Sequence, residues 1–386
     1  MIYNIFKNQY SNAKVITNSS GANLFPGIVT TFIDNYSFSK DKKDKYAIIE
    51  VDEANVKFIT EYITPEIITI TNLFRDQLDR YGEVYTTLRK IMEGIVKTPN
   101  THLILNGDES LLGKLDIPNK IDYYGFSNYD NGNSKVNVNA DAKFCKFCKT
   151  SYEYNFVTYN HLGDYYCPNC GYKRPELTYK VENILDKTAS SSTVVINNEE
   201  LLINQPGTYN IYNALCAYSI GKSFNIDTSK IKLSLENKEG SFGRQESINI
   251  EGKNAKVILV KNPAGYDEAV NTVLLDKNKI NLCFMLNDNY ADGRDVSWIW
   301  DVNFEKLPNL DVDKILITGT RKYDMAIRLK IAGFDENKFI ICNDYENIIE
   351  TIKSIPTDTT YILATYTAMT NFRKLLNAKG YAKKIW

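Results

Sequence analysis

The sequence predicts an α/β protein of two domains, the first carrying a small cysteine-bounded insertion. Three observations carry this reading. Apolar, β-rich runs alternate with helix-patterned segments up to about residue 115, which implies a mostly parallel sheet covered by helices. From Asp141 to Arg174 the alternation breaks into a segment rich in aromatics and bounded by CxxC pairs. After Gly240 the alternation restarts, which places a second α/β domain from about Ser241 onward.

In chain order, residues 15–17, 46–51, 67–71 and 103–105 read as strands, and 27–36, 85–95 and 109–115 as helices. Past the insertion, 193–196 is a β-like run, Pro206-Gly207 a turn, and 209–220 a long helix that closes the first domain. Residues 256–260, 282–286, 314–318, 339–342 and 361–364 read as the strands of the second. The predicted boundaries are 1–240, with the insertion at 141–175, and 241–386.

A chain of 386 residues with 43% hydrophobic and 24% charged residues can bury a substantial core and is long for a single one. With 46 Lys+Arg against 47 Asp+Glu it shows no nucleic-acid footprint, and its longest charge cluster, 40–45, alternates in sign. No apolar run approaches a membrane span and the start has no signal-peptide pattern, so a cytoplasmic protein is expected. The chain has only two histidines, His102 in an apolar strand and His161 between the cysteines. A self-contained nucleophile–His–Asp triad is therefore disfavoured. Cys216, Cys283 and Cys342 stand singly in apolar segments and read as small core residues.

Cys145-Lys-Phe-Cys148 and Cys167-Pro-Asn-Cys170 are separated by eighteen residues, the spacing of a four-thiolate Zn²⁺ site. Such a site is structural, because four thiolates leave no open position. Zinc ribbons also bind nucleic acid, and Tyr152, Tyr154, Tyr159, Tyr165 and Tyr166 are candidates for base stacking, but the balanced charge of the insertion offers phosphates little attraction.

Other candidate positions lie at strand ends. Glu50 and Asp52 follow an apolar strand, where a carboxylate either holds Mg²⁺ or caps a helix. The polar run 71–83 is dense in paired Arg and Asp. Asn210 and Asn213 share a helix face and suit an adenine edge, though Asn210 also reads as an N-cap. Arg244 lies at the domain boundary, either reaching phosphates or pairing with a surface acid. Gly221-Lys222-Ser223 lacks the earlier glycine of a phosphate loop and ends a helix, so it is set aside. The loop 287–301 follows a buried strand and holds several carboxylates, Arg294, Trp298 and Trp300, which reads as a site or as a solvated acidic loop with a tryptophan anchor.

Taken together, TNSSGAN, IIEVDEANV, TNLFRDQLDRYGE, LNGDES, the CxxC pairs, GTYNIYNALCAY, FGRQE, VKNPAG and NDNYADGRDVSWIWDVNFE resemble the MurT family from Thr17 to Leu376. MurT proteins are the Mur-ligase-like subunits of lipid II isoglutaminyl synthase. The resemblance implies a Mur ligase central domain with an inserted zinc ribbon, and a C-terminal Rossmann-like domain that binds the glutaminase GatD. It implies ATP-dependent amidation, with Mg²⁺, of the α-carboxylate of D-glutamate in the lipid II stem peptide, through an acyl phosphate attacked by ammonia from GatD. Membrane contact is expected through the substrate only.

Carried onto this chain, Glu50 matches the family's Mg²⁺-binding glutamate, Asn213 its adenine-contacting asparagine and Arg244 its arginine near the phosphates. Cys145, Cys148, Cys167 and Cys170 match its zinc ligands. Asp295 matches the aspartate that completes a triad with the cysteine and histidine of GatD. The family also has a GTNGKTTT phosphate loop ahead of TNSSGAN, and here Met1 to Phe6 has the apolar spacing of the helix that follows it. The resulting expectation is little ligase activity from this chain alone; ATP-dependent amidation by it with a GatD partner refutes that. Two other readings are a Mur-type ligase adding an amino acid, distinguished by amine specificity, and a non-catalytic scaffold or nucleic-acid binder, distinguished by salt-sensitive binding.

Overall fold

The computed structural model describes residues 1–18, 21–37, 44–73, 84–129, 142–236 and 244–382, with the side chains of Tyr159, Arg244 and Gln245 excepted. It divides into two compact units, one of 1–186, 192–204 and 208–238, the other of 187–191, 205–207 and 239–386.

The first unit begins with helix α1 (Ile2–Gln9) and a parallel pair, β1 (Lys14–Thr17) and β2 (Lys45–Ile48), separated by α2 (Phe25–Asp34). Strands β3 (Ile67–Ile70), β4 (His102–Asn106), β5 (Ile121–Phe126) and β8 (Tyr179–Lys187) then run parallel in that spatial order. The sheet is extended by β9 (Ser192–Ile196) and β10 (Glu199–Ile203), an antiparallel hairpin. Between β5 and β8 the chain makes its own two-stranded sheet, β6 (Glu153–Tyr159) against β7 (Leu162–Tyr166).

Strand β4 explains the layering. Ile104 faces a core with Phe126, Val181 and Ile196, while Leu103 and Leu105 face another with Ile70, Ile91 and Ile95. Both faces of the sheet are therefore covered, as a continuous apolar strand requires. The first core is closed by α4 (Thr208–Ser223), which buries most of its circumference, and by Ile5 and Phe6 of α1. The second is closed by α3 (Val84–Ile95), which is amphipathic and buries Val84, Ile91 and Ile95. A short α5 (Thr228–Glu236) ends the unit among the described residues.

One expectation fails. The segment 109–115 forms turns instead of a helix. Asn106 accepts from the Asp108 N–H at 3.0 Å and Glu109 from the Leu111 N–H at 3.2 Å, so side-chain acceptors take amides that a helix would need.

In the second unit β11 (Arg244–Ile250) pairs antiparallel with β12 (Lys253–Leu259). The rest of the sheet is parallel, in the order β12, β16 (Thr359–Ala364), β13 (Ile280–Met285), β14 (Val312–Thr318), β15 (Phe339–Ile341). Helices α6 (Pro263–Val273), α7 (Lys322–Ile331) and α8 (Tyr345–Ser354) lie between these strands, and α9 (Tyr366–Ala378) follows the last of them. Asn262 and Asp344 cap α6 and α8 by accepting from Gly265 and Asn347 N–H groups, each at 2.8 Å. Every residue of β13 is buried, with Leu282 and Phe284 in one core and Cys283 and Met285 in the other. Cys216, Cys283 and Cys342 are core residues as their surroundings predicted. No helix among the described residues is long and apolar enough to cross a membrane.

Candidate functional site

The four cysteines of the insertion converge, their sulfurs all within 4.8 Å of one another. Cys145 and Cys170 Sγ lie 3.6 Å apart and Cys148 and Cys167 Sγ 3.4 Å apart. Sulfurs about 2.3 Å from a tetrahedral Zn²⁺ are roughly 3.8 Å from each other, so the donor set and its size fit that ion. Two matching turns create it. The Cys145 carbonyl accepts from Lys149 N–H at 2.9 Å, the Cys167 carbonyl from Gly171 N–H at 3.1 Å, and both donors' residues take positive φ, 64° and 72°. The Thr150 hydroxyl, 3.4 Å from Cys148 Sγ, and the Thr150 N–H hold that thiol down to about 5, so a thiolate is at hand for a metal.

Beneath this ribbon is a polar cluster that the sequence reading missed. Asp108 is fully buried and takes hydrogen bonds from Arg174 Nη1 at 2.7 Å, Tyr212 Oη at 2.5 Å and Phe126 N–H at 2.9 Å. Burial raises the Asp108 carboxyl and Arg174 opposes that shift. A Cβ at residue 125 would stand 2.5 Å from Asp108 Oδ1, which accounts for Gly125. Glu109, also fully buried, pairs with His161 Nε2 at 2.7 Å and accepts from Leu73 N–H at 3.2 Å. Arg174 reaches Asp164 at 3.0 Å, and Thr158 Oγ1 lies 2.8 Å from Tyr212 Oη. The ribbon thus grips the turn after β4 through ion pairs and the helix α4 through a hydroxyl hydrogen bond. The signal was present as a charged LNGDES motif directly after a buried strand.

Two other motifs interlock at the ends of β1 and β2. The Asn18 side chain accepts from Glu50 N–H at 3.0 Å and donates to the Glu50 carbonyl at 2.8 Å, fixing the backbone there. Asn23 Nδ2 lies 3.4 Å from Glu50 Oε1, whose residue is exposed. Asp52 caps the turn 53–55 through Ala54 N–H at 3.1 Å and also takes Asn55 Nδ2 at 3.1 Å, so of the two strand-end acids it is the capping one.

Asn210 and Asn213 are joined by a 3.4 Å hydrogen bond on α4. Because the helix starts at Thr208, Asn210 is inside it and not its N-cap. Arg244 opens β11 opposite Ile258, and its side chain lies outside the described part; so do residues 74–83.

The loop after β13 is anchored by one acid and displays another. Buried Asp292 accepts from Thr367 N–H at 2.7 Å and Asn289 N–H at 3.2 Å. Past Gly293 (φ 88°), Asp295 is exposed, accepts from Ser297 N–H at 2.8 Å, and is held below the usual carboxylate range chiefly by that bond. Residues Ser297–Asp301 form a 3-10 turn in which Ile299 is buried and Trp298 packs near Tyr266. Buried Arg328 donates to the Ile299 and Val302 carbonyls at 3.1 and 2.7 Å and lies 5.3 Å from the Trp300 ring centre. The tryptophan anchor of the sequence reading is thus Trp298, while Trp300 stays half-exposed.

A family model described as MurT ligase C-terminal matches residues 259–369. The chain is 40% identical over 371 residues to the subunit MurT of lipid II isoglutaminyl synthase (glutamine-hydrolysing) from Streptococcus pneumoniae, covering 96% of this chain and 83% of that protein. Among solved structures it resembles a pseudomurein peptide ligase type C from Methanothermus fervidus, at 18% identity and TM-score 0.68 over 98% of this chain and 76% of that one. It also resembles the MurF ligase of Thermotoga maritima in complex with ADP, at 11% identity and TM-score 0.62 over 97% and 75%. At those identities the two structures speak for the fold alone.

Proposed function

Because the chain belongs to the MurT family, a ligase family with the Mur ligase fold, we propose that it is the synthetase subunit of a glutamine-dependent amidotransferase acting on lipid II at the cytoplasmic membrane face. The partner is a GatD-type glutaminase. The substrate carboxylate is the α-carboxylate of D-glutamate in the stem peptide.

A carboxylate resists ammonia until one oxygen becomes a good leaving group. Transfer of the ATP γ-phosphoryl to that oxygen gives an acyl phosphate and ADP; the ammonia lone pair then attacks the acyl carbon, phosphate departs and a proton is lost. Mg²⁺, when bound, neutralises charge on the transferring phosphoryl. Glu50 suits that ion, since its backbone is fixed by Asn18 while its carboxylate stays exposed. Asn213 is assigned to the adenine edge and Arg244 to the phosphates. Cys145, Cys148, Cys167 and Cys170 hold a structural Zn²⁺. The predicted domain 1–240 is then the ATP-binding domain and 241–386 the glutaminase-binding domain.

One observation favours the shared triad over a self-contained site. Both histidines are already bound to acids in the first unit, His102 to Asp122 at 2.8 Å and His161 to buried Glu109 at 2.7 Å. Asp295, exposed and ionised in the second unit, is free to orient a histidine supplied by the glutaminase. The test is Asp295→Asn in the complex. Glutamine-driven amidation should fall by roughly 10³–10⁴-fold while ammonia-driven amidation persists. Equal loss of both activities refutes the role.

A further inference from the structure

The first zinc knuckle turns two phenylalanines outward, Phe144 at 50% and Phe147 at 55% exposure. Amines surround them. Lys143 Nζ lies 6.0 Å from the Phe144 ring centre, Lys114 and Lys146 Nζ 5.8 and 5.3 Å from that of Phe147, and Lys149 Nζ 4.9 Å from that of neighbouring Tyr85. Lys114 and Lys173 also line a shallow depression of about 310 Å³ beside Tyr172. Lys146 is turned inward, donating to the Leu111 and Gly113 carbonyls. The other four, Lys114, Lys143, Lys149 and Lys173, make no ion pair among the described residues.

The ribbon's own packing accounts for part of this arrangement, since Phe147 meets buried Tyr172 edge-on with ring centres 4.9 Å apart, yet both phenylalanines remain half-exposed. The ribbon's interior is filled by Tyr152, Tyr154, Tyr165 and Tyr172, all buried. Phe144 and Phe147 have no polar atom to satisfy in water, and they share one rigid turn with cations on flexible stems. We propose that this knuckle is a membrane-contact surface, the two rings entering the headgroup boundary and the four lysines meeting anionic headgroups. Apolar insertion together with a small basic patch is the combination that gives reversible interfacial binding.

Charge complementarity selects an anionic surface, and two further points select a bilayer over nucleic acid. Of the tyrosines suited to stacking bases, Tyr152, Tyr154 and Tyr165 are buried in the ribbon core and Tyr166 is tied to Glu153 at 2.7 Å. Four amines in a chain of net charge −1 are also few for a phosphate-tracking site. The choice of a bilayer rests on the lipid-linked substrate of the proposed function, and direct contact by the ribbon adds to contact through that substrate.

The test is co-sedimentation of the full zinc-loaded chain, without nucleotide or substrate, with vesicles of phosphatidylcholine or of equal parts phosphatidylcholine and phosphatidylglycerol. Binding is expected to the anionic vesicles, weakening as salt rises. Phe144→Ala with Phe147→Ala should weaken it about tenfold or more, and Lys114→Glu, Lys149→Glu and Lys173→Glu should each cost roughly fivefold. Zinc content equal to the parent's shows that these variants are folded. Equal binding to neutral vesicles, indifference to the substitutions, or capture of a single-stranded oligonucleotide in place of vesicles overturns the proposal. Ammonia-driven amidation of the lipid-linked substrate in detergent micelles tests the proposed function separately, so either can fail alone.

Discussion

At the scale of single residues, the loop after β13 separates support from display. Asp292 is buried and saturated by Thr367 and Asn289, whereas Asp295, three positions on, has one local hydrogen bond and faces solvent. Asp292→Ala removes the acceptor and leaves the Thr367 N–H without it, so a loss of about 1–3 kcal/mol in stability is expected. Because the same change loosens the loop that carries Asp295, glutamine-driven amidation should fall while ammonia-driven amidation holds in the surviving folded fraction. Urea unfolding measured beside both activities checks this, and an unchanged glutamine-driven rate in folded protein would show that the anchor does not position Asp295. Asp295 itself was legible from the density of charge after an apolar strand. Asp292 was not singled out, because nothing local distinguishes an acid that will accept two backbone amides from one that will meet water.

At the scale of elements, the ribbon is held by more than its cysteine turns. Arg174 bridges Asp108 of the β4 turn and Asp164 of β7, and Tyr212 of α4 joins the same carboxylate. Arg174→Met leaves Asp108 buried without its cation, and removal of one partner of such a pair costs about 3–5 kcal/mol. Tyr212 adjoins Asn213, the residue proposed for the adenine edge, so disturbing Asp108 should also raise the KM for ATP more than it lowers kcat. A melting curve and ATP kinetics on Arg174→Met test both parts, and a stability loss with an unaltered KM would confine the cluster to a structural role. The spacing of Cys145, Cys148, Cys167 and Cys170 made the cysteine turns readable, since two CxxC pairs at a fixed interval are a local pattern. The ionic floor joins residues 108, 174 and 212, which only the tertiary fold brings together. The helix expected over 109–115 was lost for a local reason instead: the Glu109 and Asn106 side chains take the backbone amides that propensity assigned to a helix.

At the scale of the whole molecule, each unit closes its own cores, Ile104 and Phe126 with α4 in one, Leu282 and Phe284 with α6 and α7 in the other. Alternating apolar runs predicted this doubling, because each buried strand needs helices on both of its faces. The candidate residues divide accordingly, Glu50, Asn213 and the four cysteines in the first unit and Asp295 in the second. Separate cores predict separate responses to perturbation. A Zn²⁺ on the four cysteines, as proposed, favours only the folded ribbon, so chelating it should lower the melting temperature of the first unit, whose core shares Phe156 and Leu162 with the ribbon. The second unit contains none of these ligands and should melt as before, while Asp292→Ala should do the reverse. Calorimetry of the parent, the chelated protein and the variant gives the comparison. Two transitions that move independently support autonomous units, and one transition displaced equally by both treatments would mean that the two units fold as one.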